Sequence, residues 1–236
     1  VVCFISNYSW LDGLSFTGMR ERYLEDFDQV WVDCLNGEVT PTPVYSAGFV
    51  FVASPSDKLV AIRPDGRANP NQLIINEQNK ADLAKLRVTL VVAHQQLYGT
   101  TDDLVIGFQL THSGRFCKPN DQTRFEPRVA YRHPLLDTTF KVTSDHQVWT
   151  DSDLARLVED YVAAARIAWD VGADFVDIKH CHGYLLHEIL GAFTRPGPYG
   201  GSFENRTRLL REIIAAIRAS GNRIEFAVRL SAALAR

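Results

Sequence analysis

Residues 172–190 read GADFVDIKHCHGYLLHEIL, passing from a glycine through an alternating strand into a polar turn and the start of a short helix. Side chains alternate along residues 175–179, so Phe175, Asp177 and Lys179 share one face while Val176 and Ile178 share the other. An acid and a base on one face, with apolar residues behind them, describe a strand that lines something polar. An internal ion pair between Asp177 and Lys179 is the other reading of the same pattern. Just beyond, His182, Gly183 and Tyr184 bring an imidazole and a phenol to the strand's carboxyl end. There the two can act as hydrogen-bond donor and proton donor to one small ligand.

Working outward, residues 150–172 carry a helix signal. Thr150 and Asp153 form a capping-box pattern, Leu154, Leu157, Val158, Tyr161, Val162, Ala165 and Ala168 mark one face, and Gly172 suits a left-handed end. Downstream, residues 204–219 are amphipathic, with Leu209, Leu210, Ile213, Ile214 and Ile217 on the buried side and Gly221 closing them, and EFAVRLS (225–231) is a further strand. Upstream, AGFVFVA (47–53) reads as a buried strand, residues 79–96 as a helix and LVIGFQL (104–110) as a strand that ends in Gln109, Thr111, His112, Ser113, Gly114 and Arg115. Residues 116–148, punctuated by Pro119, Pro127 and Pro134, are too polar for a core element and have the length of a lid or binding segment. Strands alternating with helices imply an α/β fold with a parallel sheet, open or closed, whose functional face lies at the carboxyl ends of the strands.

The first residues follow a separate plan. VVCFIS (1–6), a helix pattern over 15–27 and QVWVDC (29–34) make a βαβ segment, and the Asn36-Gly37 turn with TPTP (40–43) makes a linker. The domain boundaries expected are therefore 1–40, a linker at 41–46, and 47–236.

Composition excludes several classes. The 236 residues are 46% hydrophobic and 22% charged, and 25 Lys plus Arg against 28 Asp plus Glu leave a net charge of -3, which argues against a nucleic-acid coat. No apolar run is long enough to span a bilayer and the first residues lack a signal-peptide pattern, so a cytoplasmic protein is expected. Cys3, Cys34, Cys117 and Cys181 are far apart with no CxxC pair, as reduced thiols would be. The chain has one methionine, Met19, and begins at Val1, so a piece of a longer reading frame is expected.

Gln109 and Arg229 sit near the ends of separate strands. An amide and a guanidinium there suit a planar, hydrogen-bonding ring system and negative charge on it, although each alone could be a satisfied structural group. His180, His182 and His187 suggest a metal, but no carboxylate or thiolate in zinc spacing accompanies them, and no metal is expected. Gly200-Gly201-Ser202 precedes a helix and serves either as an anion site or as a capped turn with Ser202 at the N-cap.

Four segments in this order, VIGFQLTHSGR (105–115), FVDIKHCHGYLLHEIL (175–190), YGGSFENRTR (199–208) and FAVRLSA (226–232), resemble the flavin-dependent Old Yellow Enzyme family of NADH:flavin oxidoreductases. The resemblance covers roughly 47–232. It implies a TIM (β/α)8 barrel with strands two to five represented, FMN and NAD(P)H as cofactors, a small-molecule substrate, and hydride transfer to an electron-poor alkene. It assigns Gln109 and Arg229 to the flavin pyrimidine edge, His182 to the second position of the pair that binds a substrate carbonyl oxygen, and Tyr184 to protonation of the alkene. Lys179 stands at the first position of that pair, where the family usually has His, and Pro198 stands where it commonly has Asp. Four strands of eight would leave two sheet edges unpaired and an apolar interior open. Residues 1–38 resemble a segment of the large adenine-specific DNA methyltransferases attached to restriction enzymes, without the NPPY motif or a glycine-rich cofactor loop. A methyltransferase fragment and a non-enzymatic fusion remnant are thus the alternatives to a flavin oxidoreductase.

Overall fold

A computed structural model of the chain describes Cys3–Ile5, Val44–Ser46, Phe49–Phe51 and residues 59–231. The helix and strand expected at 15–27 and 29–34, and the linker at 41–46 apart from Val44–Ser46, lie outside the described residues.

One five-stranded sheet organises the chain. Its strands are β1 (Cys3–Ile5), β4 (Leu59–Ala61), β5 (Gly107–Thr111), β6 (Phe175–His180) and β7 (Glu225–Ser231), in the order β1-β7-β6-β5-β4 with every pair parallel. Each of the four strands from β4 onward is paired with the next in sequence, and the connections carry α1 (Lys80–Tyr98), α2 (Leu136–Phe140), α3 (Asp151–Asp170), α4 (Leu185–Leu190), α5 (Phe203–Arg206) and α6 (Arg208–Ala219). This is part of a (β/α)8 barrel.

Two expectations change. AGFVFVA is not a barrel strand, because its Phe49–Phe51 is β3, which pairs antiparallel with β2 (Val44–Ser46) in a separate sheet. The barrel strand is β4, from the shorter run LVAI between Lys58 and Arg63, whose Val60, Ala61 and Ile62 are all buried. A short uninterrupted apolar run suits a strand covered on both faces. The expected unpaired edges are covered in part, with β1 now the terminal strand on one side. β1 pairs along β7, and on the far side Ala61 donates to Leu73 O at 2.8 Å and accepts from Ile75 N at 3.0 Å.

The outer face of the sheet holds the core. Phe108, Leu110, Val176 and Ile178 pack into one cluster with Leu154, Leu157, Tyr161 and Ala165 of α3 and Leu209, Ile213 and Ile217 of α6. Full burial of each such aliphatic side chain contributes about 1.5–3 kcal/mol. Leu210 and Ile214 only flank this cluster, half-buried.

α3 begins as its sequence requires, with Asp153 N donating to Thr150 Oγ1 at 3.1 Å and Thr150 N donating to Asp153 Oδ2 at 3.0 Å. It ends at Gly172, whose φ of 84° lets Ala173 N reach back to Ala168 O at 3.0 Å and turn the chain into β6. The helix expected over 204–219 is two pieces, α5 and α6, meeting at Thr207, and Ser202 caps the first by accepting from Asn205 N at 3.2 Å. The long segment 116–148 also contributes to the core, because Cys117, Val129, Ala130 and Val142 are buried and Val129 bridges to Val148.

Candidate functional site

Strand register puts the polar residues in rows. Gln109 of β5 is level with Asp177 of β6 and Ala227 of β7, and Lys179 of β6 is level with Arg229 of β7. Alternation turns all five to the face opposite the helices, and the second row stands about 6.6 Å nearer the carboxyl ends of the strands. The interior face is therefore polar here rather than apolar.

Asp177 ties the rows together. Gln109 Nε2 donates to Asp177 Oδ2, and Arg229 Nε lies 3.4 Å from the same oxygen. To reach it, the Arg229 guanidinium folds back by one row, away from its level partner Lys179. The ion pair between Asp177 and Lys179 is not the arrangement found. Lys179 instead sends its Nζ to within 4.0 Å of the centroid of the Tyr184 ring. Burial, at 5% exposure, followed by the Arg229 cation, brings the Lys179 pKa down to about 8.

The turn between β6 and α4 sets His182 and Tyr184. Tyr184 N donates to Cys181 O at 3.2 Å, and both central residues are left-handed, His182 with φ 59° and Gly183 with φ 73°. Glycine adopts that conformation freely, whereas for histidine it costs on the order of 1 kcal/mol. His187 holds the turn, its Nδ1 accepting from Gly183 N at 2.7 Å. Burial and then the nearby Lys179 and Arg229 cations hold the His182 pKa below the ordinary imidazole value, so the ring is neutral at pH 7 and has one N–H to donate. Burial raises the Tyr184 phenol, which keeps its proton. A row of rings leads outward, from Tyr184 to Phe116 at 5.7 Å, then to Phe140 at 4.7 Å and Phe125 at 5.0 Å. An open cleft of about 390 Å³ bordered by Phe125, Arg128 and Asp65 lies beside this row and includes none of the strand-end residues.

Residues 57–234 match the family model for the NADH:flavin oxidoreductase / NADH oxidase family. The chain belongs to this family. It is 30% identical over 181 residues to an NADPH dehydrogenase of Clostridium acetobutylicum, an alignment covering 76% of this chain and 48% of that one. It is 35% identical over 133 residues to a putative 12-oxophytodienoate reductase 3 of Oryza sativa subsp. japonica, covering 52% of this chain and 33% of the relative. Among solved structures, the old yellow enzyme homologue of Zymomonas mobilis superposes with a TM-score of 0.56 at 25% identity, covering 73% of this chain and 48% of that one. The chain spans less than half the length of these relatives. NADH:flavin oxidoreductases are enzymes whose cofactors are FMN and NAD(P)H. The methyltransferase-like residues 1–38 precede the matched segment and, apart from Cys3–Ile5, lie outside the described residues.

In this member of the NADH:flavin oxidoreductase family the five residues read from the sequence, Gln109, Lys179, His182, Tyr184 and Arg229, share the carboxyl end of three adjacent strands. They fit the edge of a planar ring. Asp177 Oδ1 and Arg229 Nε are buried without a hydrogen-bond partner, and polar atoms left so on an inner barrel face suit a ring that carries both donors and acceptors. The histidine trio does not converge. His180 sits behind the strand with Val176 and Ile178, His187 braces the turn, and among the described residues no three His, Cys, Asp or Glu side chains gather as a metal would need.

The residues missed from sequence are those that hold this end of the sheet in place. Arg115, 2% exposed, donates from Nε to Glu188 Oε1 at 2.9 Å, from Nη1 to Asp137 Oδ1 at 2.6 Å and from Nη2 to Tyr131 O at 2.9 Å. That single guanidinium joins the end of β5, the long segment and α4. Arg195 does the same at Ala130 O, 2.6 Å, and Trp149 O, 2.7 Å. Arg115 and Glu188 both fall inside quoted motifs, but nothing in their spacing says that they meet. Gly200 is explained by space, since a Cβ there would stand 2.1 Å from Arg195 O, and the YGGS motif is a packed, capped turn.

Proposed function

We propose that this chain carries the flavin-edge and substrate-oxygen part of an Old Yellow Enzyme-type active site for hydride reduction of an electron-poor alkene at its β-carbon. The observation that supports it is the convergence of Gln109, Asp177 and Arg229 with Lys179, His182 and Tyr184 on one end of β5, β6 and β7.

Gln109 and Arg229 hold the pyrimidine edge, and the Arg229 cation offsets negative charge there. FMN, when bound, supplies the hydride. His182 as a neutral donor and Lys179 as a cation bind a carbonyl oxygen and stabilise the charge that gathers on it as the alkene is reduced. Tyr184, kept protonated, gives its proton to the α-carbon. Lys179 makes this oxygen site more positive than two neutral donors would, so substrates whose oxygen becomes anionic are favoured.

Titrating the purified chain with FMN and following anaerobic oxidation of NADPH or NADH with 2-cyclohexen-1-one tests the reading. Flavin uptake with alkene-dependent turnover, lost in Tyr184→Phe and in Arg229→Met, is the expected result. A chain that takes up flavin yet gives the same turnover in both variants would overturn the site assignment.

A further inference from the structure

We infer that Asp177 is a positioning residue that fixes which atoms of Gln109 and Arg229 face the flavin ring. The inference rests on the flavin-edge reading above. A carboxylate only accepts hydrogen bonds, so a glutamine pointed at one must turn its Nε2 toward it. Gln109 does so, donating to Asp177 Oδ2, which leaves Oε1 as the atom presented away from Asp177. The Gln109 amide, which could otherwise present either end to a ligand, is thereby set as an acceptor.

Arg229 is paired with the same oxygen by charge, its Nε 3.4 Å away without a formed hydrogen bond, so the guanidinium keeps its N–H groups for a ligand while its position is set by Asp177. One carboxylate thus sets an acceptor on β5 and a donor fork on β7, separated by its own strand. This matches a ring edge bearing an N–H beside a carbonyl oxygen, as the isoalloxazine N3–H and its neighbouring O2 do. Asp177 is 9% exposed, so its charge acts on both partners with little solvent screening. Its second oxygen, Oδ1, is buried without a partner, and the residue is thus not placed there to complete a closed structural network.

Asp177 acts through Gln109 and Arg229 and does not touch substrate. Its test therefore reads which ring atoms are recognised. The full-length chain is titrated with lumiflavin and with 3-methyllumiflavin, following flavin fluorescence. These share the ring system without the phosphate, and only lumiflavin offers N3–H. The wild-type chain should prefer lumiflavin by about tenfold, the worth of one well-formed hydrogen bond to a fixed acceptor.

Asp177→Asn keeps the shape but can donate as well as accept, so it no longer dictates the amide; the preference should fall below about threefold. Asp177→Glu keeps an acceptor-only group and should restore most of it, which a packing role would not predict. In the double variant with Gln109→Ala, the Asp177→Asn effect on the preference should disappear, because the two act as a unit. Full preference retained in Asp177→Asn and in Asp177→Leu, or no preference in a wild-type chain that binds both flavins equally, overturns the inference alone. A wild-type chain that binds neither ring overturns the flavin-edge reading and the inference with it. Thermal unfolding of each variant identifies any that fail to fold, and Asp177→Glu, the mildest change, then decides.

Discussion

Lys179 places its Nζ 4.0 Å from the centroid of the Tyr184 ring, in the row of the sheet it shares with Arg229. A cation over a ring face is stabilised by the ring's quadrupole, but burial opposes the charge more strongly and brings the Lys179 pKa from an ordinary 10.5 to about 8. Between these two pH values the unfolded chain binds more protons at this residue than the folded one, so its contribution to stability rises with pH across that window. The cost of the buried charge is full below pH 8. Lys179→Met should therefore be more stable than wild type at pH 7, by at most about 3 kcal/mol, with the difference shrinking by pH 10. Urea unfolding at the two pH values checks this; equal shifts at both would show that the charge is not what burial opposes.

The same titration bears on activity. If Lys179 donates as a cation to a substrate oxygen, turnover with 2-cyclohexen-1-one should fall as pH rises through about 8, and Lys179→Met should be slower at pH 7 yet lack that falling limb. Replacement by His, the residue usual in the family at this position, should keep activity while moving the limb. A pH profile unchanged in Lys179→Met would exclude Lys179 from the step.

His182 lends itself to separating backbone strain from chemistry. With φ at 59° it occupies a conformation that glycine adopts freely and Asn tolerates, and a β-branched residue does not. His182→Gly should leave the melting temperature unchanged or raise it slightly, while removing the donor and lowering turnover. His182→Asn should keep both fold and part of the activity, and His182→Val should cost on the order of 1–3 kcal/mol. Thermal scans alongside steady-state rates make the comparison. A glycine variant that loses stability would mean the imidazole, not the backbone, holds the turn.

How much of this was readable from sequence depends on whether the signal is local. The capping box at Thr150, the left-handed Gly172 and the alternation that puts Asp177 and Lys179 on one face are decided within a few residues, and all three are realised. The grouping of Gln109 with Arg229 came from the family resemblance, because no local pattern says which strands become neighbours. AGFVFVA misled because a short apolar run fits an antiparallel strand of a separate sheet as well as a barrel strand. Asp177 could be placed on a face, but its partners were hidden. They are 68 residues upstream on β5 and one strand over on β7, so its natural partner in sequence, Lys179, was the wrong one.

Gly200 offers a test of the packed-turn explanation of YGGS. Alanine there would bring Cβ against the Arg195 backbone carbonyl, which cannot move without disturbing the Arg195 bonds to Ala130 and Trp149. Gly200→Ala should lose about 3 kcal/mol or more, while Gly201→Ala, with open space but a φ of 76°, should lose only about 1 kcal/mol. Urea midpoints of the two variants settle the order. Equal losses would mean that backbone conformation, not the close approach, makes the motif glycine-rich.

The long segment 116–148 depends on Arg115 in a way that can be measured. Its guanidinium compensates two carboxylates, Glu188 at 9% and Asp137 at 9% exposure, and Arg115→Met would leave both without their buried cation. Breaking a buried pair from one side costs about 3–5 kcal/mol, whereas replacing the whole set with apolar groups need not. Burial already pushes Glu188 up to about 7 against the pull of Arg115, so in the variant Glu188 should bind its proton more readily still. The wild-type chain already gains those protons below pH 7, so the loss in Arg115→Met should be largest above pH 7, where Glu188 must ionise without the guanidinium, and should recover in part as pH falls to 7. Adding Glu188→Gln should remove that recovery and lessen the loss at pH 7. Hydrogen exchange should report the opening of residues 128–149 in Arg115→Met, ahead of α3 and α6, because only the Ala130 N bond to Glu188 Oε2 at 3.2 Å would then tie this stretch to Glu188 of α4, while those helices keep their apolar core.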